Sequence, residues 1–186
     1  EKVMVVKLTS SRKAALTFNL NFESQLQSKV LVQNKMLVAN GYAPVHADPS
    51  YRRNEKDPIR FDENKGTRFT TIYKIKNKGG QVVQTDSTIG VKNATEAVIY
   101  VSIATSFNGF DKNPATEGLN NAKIAADNMK KAGSKSFDKL RKAHVADYQT
   151  FFNRVNLELG KTNATDMPTN ERLKRYAQGK EDKNLE

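Results

Sequence analysis

Ala14-Ala15-Leu16-Thr17-Phe18-Asn19-Leu20-Asn21-Phe22 alternates without a break. Leu16, Phe18, Leu20 and Phe22 fall on one side; Thr17, Asn19 and Asn21 fall on the other. A repeat of two sends successive side chains to opposite faces, so this stretch predicts a strand with one dry face and one wet face. The same signature recurs on either side of it. Val3, Val5 and Lys7 alternate with Met4, Val6 and Leu8. Lys29–Val32 and Met36–Ala39 read as short strands around Gln33-Asn34-Lys35, a tight turn. Thr67–Lys76 alternates again, with Phe69, Thr71, Tyr73 and Ile75 on one face. Asn77-Lys78-Gly79-Gly80 predicts a hairpin turn, because glycine supplies the positive φ such turns need. Gln81–Thr85, Thr88–Lys92 and Ala97–Thr105 complete the series, which closes at Asn108-Gly109. Residues 43–66, rich in Pro, Asp, Arg and Asn, read as a long loop. About eight strands with short turns and no helix between them predict an antiparallel β-sandwich rather than a parallel α/β sheet.

The period changes near Asn113-Pro114. Leu119, Ala122, Ala126 and Met129 recur at helical spacing, and Gly133 stops the run. Ser136 then caps a second helix, whose stripe is Phe137, Leu140, His144, Tyr148, Phe151 and Phe152. Val155–Leu159 reads as a strand closed by Gly160, and Thr169 opens a short helix through Glu171, Leu173 and Tyr176. The expected division is a sandwich over 1–113, a helical connector over 114–156, and a strand and loop over 157–186. The fold class is mainly β with an α appendage. The helical stripe needs another surface to cover it.

At 186 residues with 37% hydrophobic content the chain can bury one domain's core. No apolar run spans a membrane, and no signal peptide is visible. The first residue is Glu1, which reads as a start inside a longer polypeptide, with loss of a signal peptide by processing as the milder explanation. There is no cysteine, which excludes disulfides, a cysteine nucleophile and thiolate metal sites. The net charge of +11 raises the question of nucleic acid. The charge is spread: residues 1–110 carry 16 basic and 9 acidic residues, and 111–186 carry 15 and 11. Arg52-Arg53 and Lys130-Lys131 are among the adjacent basic pairs, and both have acidic neighbours. A solvated lysine-rich surface accounts for this better than a phosphate-binding one.

The chemistry-bearing candidates lie mostly in one loop. Gly41-Tyr42-Ala43-Pro44-Val45-His46-Ala47-Asp48-Pro49-Ser50-Tyr51 holds two prolines, two tyrosines and a histidine. Prolines stiffen it, and Tyr42, His46 and Tyr51 could stack on or hydrogen-bond to a sugar ring. The same loop equally fits a segment packed on its own domain. Asp48, Glu55, Asp57, Asp62 and Glu63 supply carboxylates, but each has a basic neighbour, which favours surface pairing over the opposed pair that glycoside hydrolysis needs. His46 with Asp48 offers only two metal ligands, so no metal and no cofactor is expected. His144 sits in the second helix's stripe and reads as a packed or partly exposed histidine.

Four spaced motifs now carry a resemblance. Gly41–Tyr51, Asp57-Pro58-Ile59-Arg60-Phe61-Asp62, Ala104-Thr105-Ser106-Phe107-Asn108-Gly109-Phe110-Asp111 and His144–Val155 resemble glycoside hydrolase family 95, bacterial α-L-fucosidases with some members acting on α-L-galactosides. Leu173–Gly179 and Asp182–Glu186 look like the approach to that family's catalytic domain. The resemblance implies an N-terminal β-sandwich leading through linker helices to an (α/α)6 barrel that holds the catalytic residues beyond Glu186. No catalytic residue is carried onto this chain. It also implies an inverting mechanism, a periplasmic or extracellular setting, and further sandwich strands ahead of Glu1. One departure stands out: Tyr42 occupies the position where the family's loop has arginine.

The expected role is therefore a non-catalytic sandwich that supports the barrel and helps shape its sugar site. The expected partners are that barrel and, through it, a fucosylated oligosaccharide, with no nucleic acid and no membrane. A stand-alone carbohydrate-binding module is the alternative, though it would want a platform of exposed aromatics, and the chain has no Trp. If strands are missing, an open sheet edge invites an edge-paired dimer.

Overall fold

The computed structural model describes residues 2–52, 56–158 and 166–185. Two compact units divide the chain, Glu1–Arg141 and Lys142–Glu186.

The first unit has three layers. Strands β1 (Val3–Thr9), β3 (Gln27–Gln33), β4 (Met36–Tyr42), β7 (Arg68–Lys78) and β10 (Glu96–Thr105) form a five-stranded sheet in the order β1-β10-β7-β4-β3, antiparallel throughout. Strands β2 (Leu16–Leu20), β8 (Gln81–Gln84) and β9 (Ile89–Ala94) form a second sheet in the order β2-β9-β8. A short pair, β5 (His46–Ala47) with β6 (Ile59–Arg60), stands apart. Between the two larger sheets lies one core, built from Leu37, Ile75, Ala97 and Ile99 on one side and Ile89, Val91 and Ala94 on the other. Leu16, Phe18 and Leu20 turn inward to it, while Thr17 and Asn19 face water, as their alternation predicts.

The opposite face of the five-stranded sheet carries Val38, Ile72, Val98, Tyr100 and Ala104. It would be exposed without helix α1 (Asn121–Gly133), which covers it with Ala125, Met129 and Ala132. Asn120 caps the helix by accepting the Lys123 amide at 3.0 Å. At the other end Lys76 donates to the Gly133 carbonyl, and Lys130 and Lys131 occupy the last turn, where positive charge suits the helix dipole. Polar side chains complete the seam. Ser102 donates to the Ala125 carbonyl at 2.8 Å, and Asn121 Nδ2 donates to Thr70 Oγ1, which bonds Asn40 at 2.7 Å.

Some expectations shift here. The buried stripe of α1 is Ala125, Met129 and Ala132, while Ala122 and Ala126 are exposed and Leu119 precedes the helix. The periodicity was right but the phase turned by one residue, because alanines occupy both faces and only packing on β10 and β7 selects between them. Helix α1 falls within the first compact unit, packed on the sheet. Gly79 and Gly80, with φ of 70° and 59°, do turn the chain. They do not close a hairpin: β7 stays in the five-stranded sheet and β8 crosses to the other. A Cβ at Gly80 would strike the Lys92 carbonyl, so this corner needs glycine. Asn34 and Lys35 both have positive φ and join β3 to β4 as a two-residue hairpin.

In the second unit, helix α2 (Phe137–Phe152) runs on from the first, capped where Ser136 Oγ accepts the Lys139 amide at 3.3 Å. Only Leu140 of its stripe is buried; Tyr148, Phe151 and Phe152 are exposed. His144 stacks on Tyr148 and Tyr148 on Phe152, with ring centroids 6.3 and 5.1 Å apart. Residues 155–158 form no strand, contrary to expectation, and residues 159 and 160 of that stretch lie outside the described residues. Val155 and Leu157 are well exposed there, with no partner strand among the described residues to pair with. Helix α3 (Thr169–Ala177) forms where Thr169, Glu171, Leu173 and Tyr176 predict a short helix. No described helix is long and apolar enough to cross a membrane.

Candidate functional site

The described residues of 43–67 form a ladder rather than an open loop. The Ala43 amide donates to Thr67 O at 2.9 Å, Val45 to Arg60 O at 2.9 Å, and Asp48 to Pro58 O at 2.7 Å. Between these rungs His46 pairs with Arg60 and Ala47 with Ile59. The prolines fit because Pro44 and Pro49 occupy positions where no rung needs an amide donor. Past the last rung the chain turns through Pro49–Arg52, where the Arg52 amide donates to Pro49 O.

His46 and Asp48 are two residues apart on one extended segment and so face the same side. His46 Nε2 lies 3.0 Å from Asp48 Oδ2, and Arg52 Nη1 lies 3.4 Å from Asp48 Oδ1. The Asp48 side chain is 8% exposed and that of His46 is 40% exposed. Asp48 is thus a buried hub that orients an imidazole and a guanidinium, with both its oxygens occupied. The imidazole presents its Nδ1 edge, which no described residue engages. The arrangement can position a hydrogen bond; it holds no free carboxylate to act as an acid or a base.

Tyr42 ends β4 with its ring edge-on to Phe61, centroids 5.9 Å apart at 84°. It is half-buried at the base of the ladder. Gly66 closes that base: a Cβ there would strike the Ala43 carbonyl. Gly41 is as tight, against the Gln27 carbonyl and the Phe69 ring. Tyr51 sits at the tip, 78% exposed. Among the described residues no hydrogen bond, ion pair or ring contact joins Tyr42, His46 and Tyr51. They occupy the base, middle and tip of one hairpin.

The other carboxylates are in local use. Asp62 Oδ1 accepts the Asn64 amide at 2.9 Å and its carbonyl accepts those of Lys65 and Gly66, so it shapes a turn. Glu63 lies 3.9 Å from Arg68. Asp57 is exposed, and Glu55 falls outside the described residues. Among the described residues no three His, Asp or Glu side chains are grouped as a metal ion would need.

Sequence reasoning missed a second set of contacts at this end of the sandwich. Tyr42 of β4 pairs with Arg68 of β7, and Phe69 pairs with Thr105 of β10, so the 43–67 and 106–118 segments leave the same sheet end. Arg68 and Ser106 exchange two hydrogen bonds of 2.9 Å, one from the Arg68 amide to Ser106 Oγ and one from the Ser106 amide to Arg68 O. Arg68 Nη2 also donates to Glu63 O at 2.9 Å. Asn113 Nδ2 donates to Asn64 O at 3.1 Å and so fastens one segment to the other. Only the Asn-Gly pair at 108–109 hinted at a built turn there.

In the second unit the feature that stands out is Arg172 and Asp182, joined by two hydrogen bonds of 2.8 Å. The guanidinium, with amides of the following turn, holds the Asp182 carboxyl below the usual carboxylate range. The pair shapes the chain after α3.

Two family comparisons bear on this geometry. Residues 1–109 match the glycosyl hydrolase family 65 N-terminal domain. Residues 136–186 match the glycosyl hydrolase family 95 catalytic domain. Alpha-L-fucosidase 2 of Arabidopsis thaliana is 24% identical over 165 residues, 86% of this chain. The chain spans 20% of that relative's length. The relative is a plant protein, whereas the sequence resemblance pointed to bacterial enzymes. The ten strands fall under the first match and helices α2 and α3 under the second, with α1 in the stretch between them, and the chain belongs to the glycosyl hydrolases, with a family 65-type N-terminal domain over residues 1–109 and family 95 sequence over residues 136–186.

Proposed function

We infer that this chain is the non-catalytic portion of a larger, secreted α-L-fucosidase that inverts configuration at fucosylated glycans. The sandwich supports the catalytic barrel and presents the His46 hairpin at the rim of its cleft. The observation that carries this reading is the order of the two family matches on one short chain, an N-terminal domain followed by catalytic-domain sequence. The chain's own chemistry agrees, since the described carboxylates of the 43–67 hairpin are paired, engaged in turns or exposed singly, with no opposed acid and base. The exposed stripe of Tyr148, Phe151 and Phe152 on α2 fits a face that packs against the rest of the catalytic domain.

The test compares this chain with the full-length enzyme on a fucosyl-α1,2-galactoside under the same conditions. Hydrolysis by the full-length enzyme alone is expected. Turnover by this chain would overturn the non-catalytic assignment. His46→Ala in the full-length enzyme addresses the rim role: a lower kcat or a higher KM is expected, and unchanged kinetics would remove the hairpin from the cleft.

A further inference from the structure

After β10 the chain passes through residues 106–120 before α1 begins, and this connector is stiff. Ser106 is 2% exposed. Besides its two bonds with Arg68, its carbonyl accepts the Leu119 amide at 2.9 Å. Asn113 is a second anchor. Its Oδ1 accepts the Ala115 amide at 2.9 Å, its carbonyl accepts the Thr116 and Glu117 amides, and its own amide donates to Glu117 Oε2 at 3.1 Å. Asn108 Nδ2 donates to Glu117 O at 3.0 Å. Between the anchors Gly109, at φ 113°, turns the chain outward. On that bend Phe110 is 99% exposed, and Phe107, three residues earlier, is 58% exposed.

A phenylalanine held wholly in water by an ordered loop adds nothing to the core. Its ordering cost is met in advance by the loop's hydrogen bonds, so any partner that covers it gains the full benefit of burial. The surroundings say what kind of partner. Phe107 and Phe110 are interleaved with Asn108 and Asp111, and the Asn113–Asn64 bond ties their loop to the turn that carries Glu63. A protein or membrane contact wants a contiguous apolar patch. Two rings interleaved with amide and carboxylate side chains suit a pyranose, whose C–H face lies on a ring while its hydroxyls reach the polar groups.

We propose that Phe110, supported by Phe107, is a sugar-stacking contact for the glycan, on the same end of the sandwich as the His46 hairpin. The inference rests on the glycoside-hydrolase reading for the class of ligand and adds the residues that take it. An amide-resolved NMR titration of this chain with a fucosyl-α1,2-galactoside tests it, beside the Phe110→Ala and Phe110→Tyr variants. Amide shifts confined to residues 107–113 are expected, with affinity about tenfold weaker in Phe110→Ala and kept in Phe110→Tyr. Titration that leaves these amides unmoved, or Phe110→Ala binding like the parent sequence, overturns it. Line broadening that depends on protein concentration and vanishes in Phe110→Ala would mean self-association and would also overturn it. A full-length enzyme that hydrolyses the fucoside while this loop stays silent sinks the stacking contact alone. Sugar binding at Phe110 in a full-length protein that cleaves no fucoside sinks the fucosidase reading and leaves the contact.

Discussion

Arg172 grips Asp182 in a two-point fork, Nε to Oδ2 and Nη2 to Oδ1, both at 2.8 Å. Asp182 also accepts the Asn184 amide at 3.1 Å, and its carbonyl accepts the Leu185 amide at 2.8 Å, so one carboxylate holds α3 to the turn that follows. The Asp182 pKa lies below the usual aspartate value, chiefly through the bond to Arg172. A carboxyl whose folded pKa is depressed contributes stability above its unfolded value, near 4, and loses that contribution as pH falls through the folded value. Hydrogen exchange of the α3 amides should therefore stay slow from neutral pH to about 4 and quicken below it, beyond the intrinsic pH dependence. Asp182→Asn should abolish that pH step. A step that survives the substitution would assign it to another group.

Gly66→Ala tests the closed base of the hairpin. The new methyl meets the Ala43 carbonyl, on the residue whose amide donates to Thr67 O in the first rung. A loss of about 1–3 kcal/mol in unfolding free energy is expected, as for other overpacked sites. Denaturation monitored by far-UV circular dichroism would measure it.

Met129→Ala probes the cover on the outer sheet face. Met129 is 3% exposed among Ile72, Tyr100 and their neighbours. Truncation should cost about 2–5 kcal/mol, since transfer and cavity terms add. Ala126→Ser, on the exposed face of the same helix, should change stability by no more than about 0.5 kcal/mol. Equal effects at the two positions would reverse the phase assigned to α1.

The sheet edges differ in how they are guarded. β8 has four residues, β2 carries a register shift between Leu16 and Phe18, and β3 bears Lys29 and is fastened where the Val32 amide donates to Asp86 O. β1 has seven residues in unbroken register, with Met4 62% and Val6 38% exposed on one face. Short, bulged or charged edges resist strand addition, and β1 is none of the first two and carries one lysine. Light scattering should show mass rising with concentration toward an edge-paired dimer, and a Met4→Lys, Val6→Lys double variant should remain monomeric. A parent sequence that stays monomeric at high concentration would show that β1 is guarded after all.

Much of the sandwich was legible because alternation is a local signal. Val3–Leu8, Leu16–Leu20 and Ala97–Thr105 announced themselves, and Asn34-Lys35 and Gly79-Gly80 announced their turns. What local signals do not encode is the partner. Two glycines in the left-handed region reverse the chain equally well inside one sheet or between two, and burial of Ile89 and Val91 against Ile75 decided for the second. The phase of α1 was hidden by alanines on both faces. At the candidate site, His46 and Asp48 were legible as neighbours two residues apart, yet the burial of Asp48 and its second partner Arg52 depended on the ladder's register. Phe110 was read as another apolar residue of a motif, and only its surroundings put it in water. Arg172 and Asp182 lie ten residues apart across a helix end, beyond any pattern of two or of three and four.

Gly66 and Gly41 give the hairpin a stem in which neither position accepts a side chain, while Tyr51 at the far end lies largely in water. Such a part is easy to diversify. Mutational drift, or a combinatorial library confined to Ser50 and Tyr51, would vary the exposed surface without taxing the sandwich beneath. The same drift at the stem would be purged before it could be selected for anything.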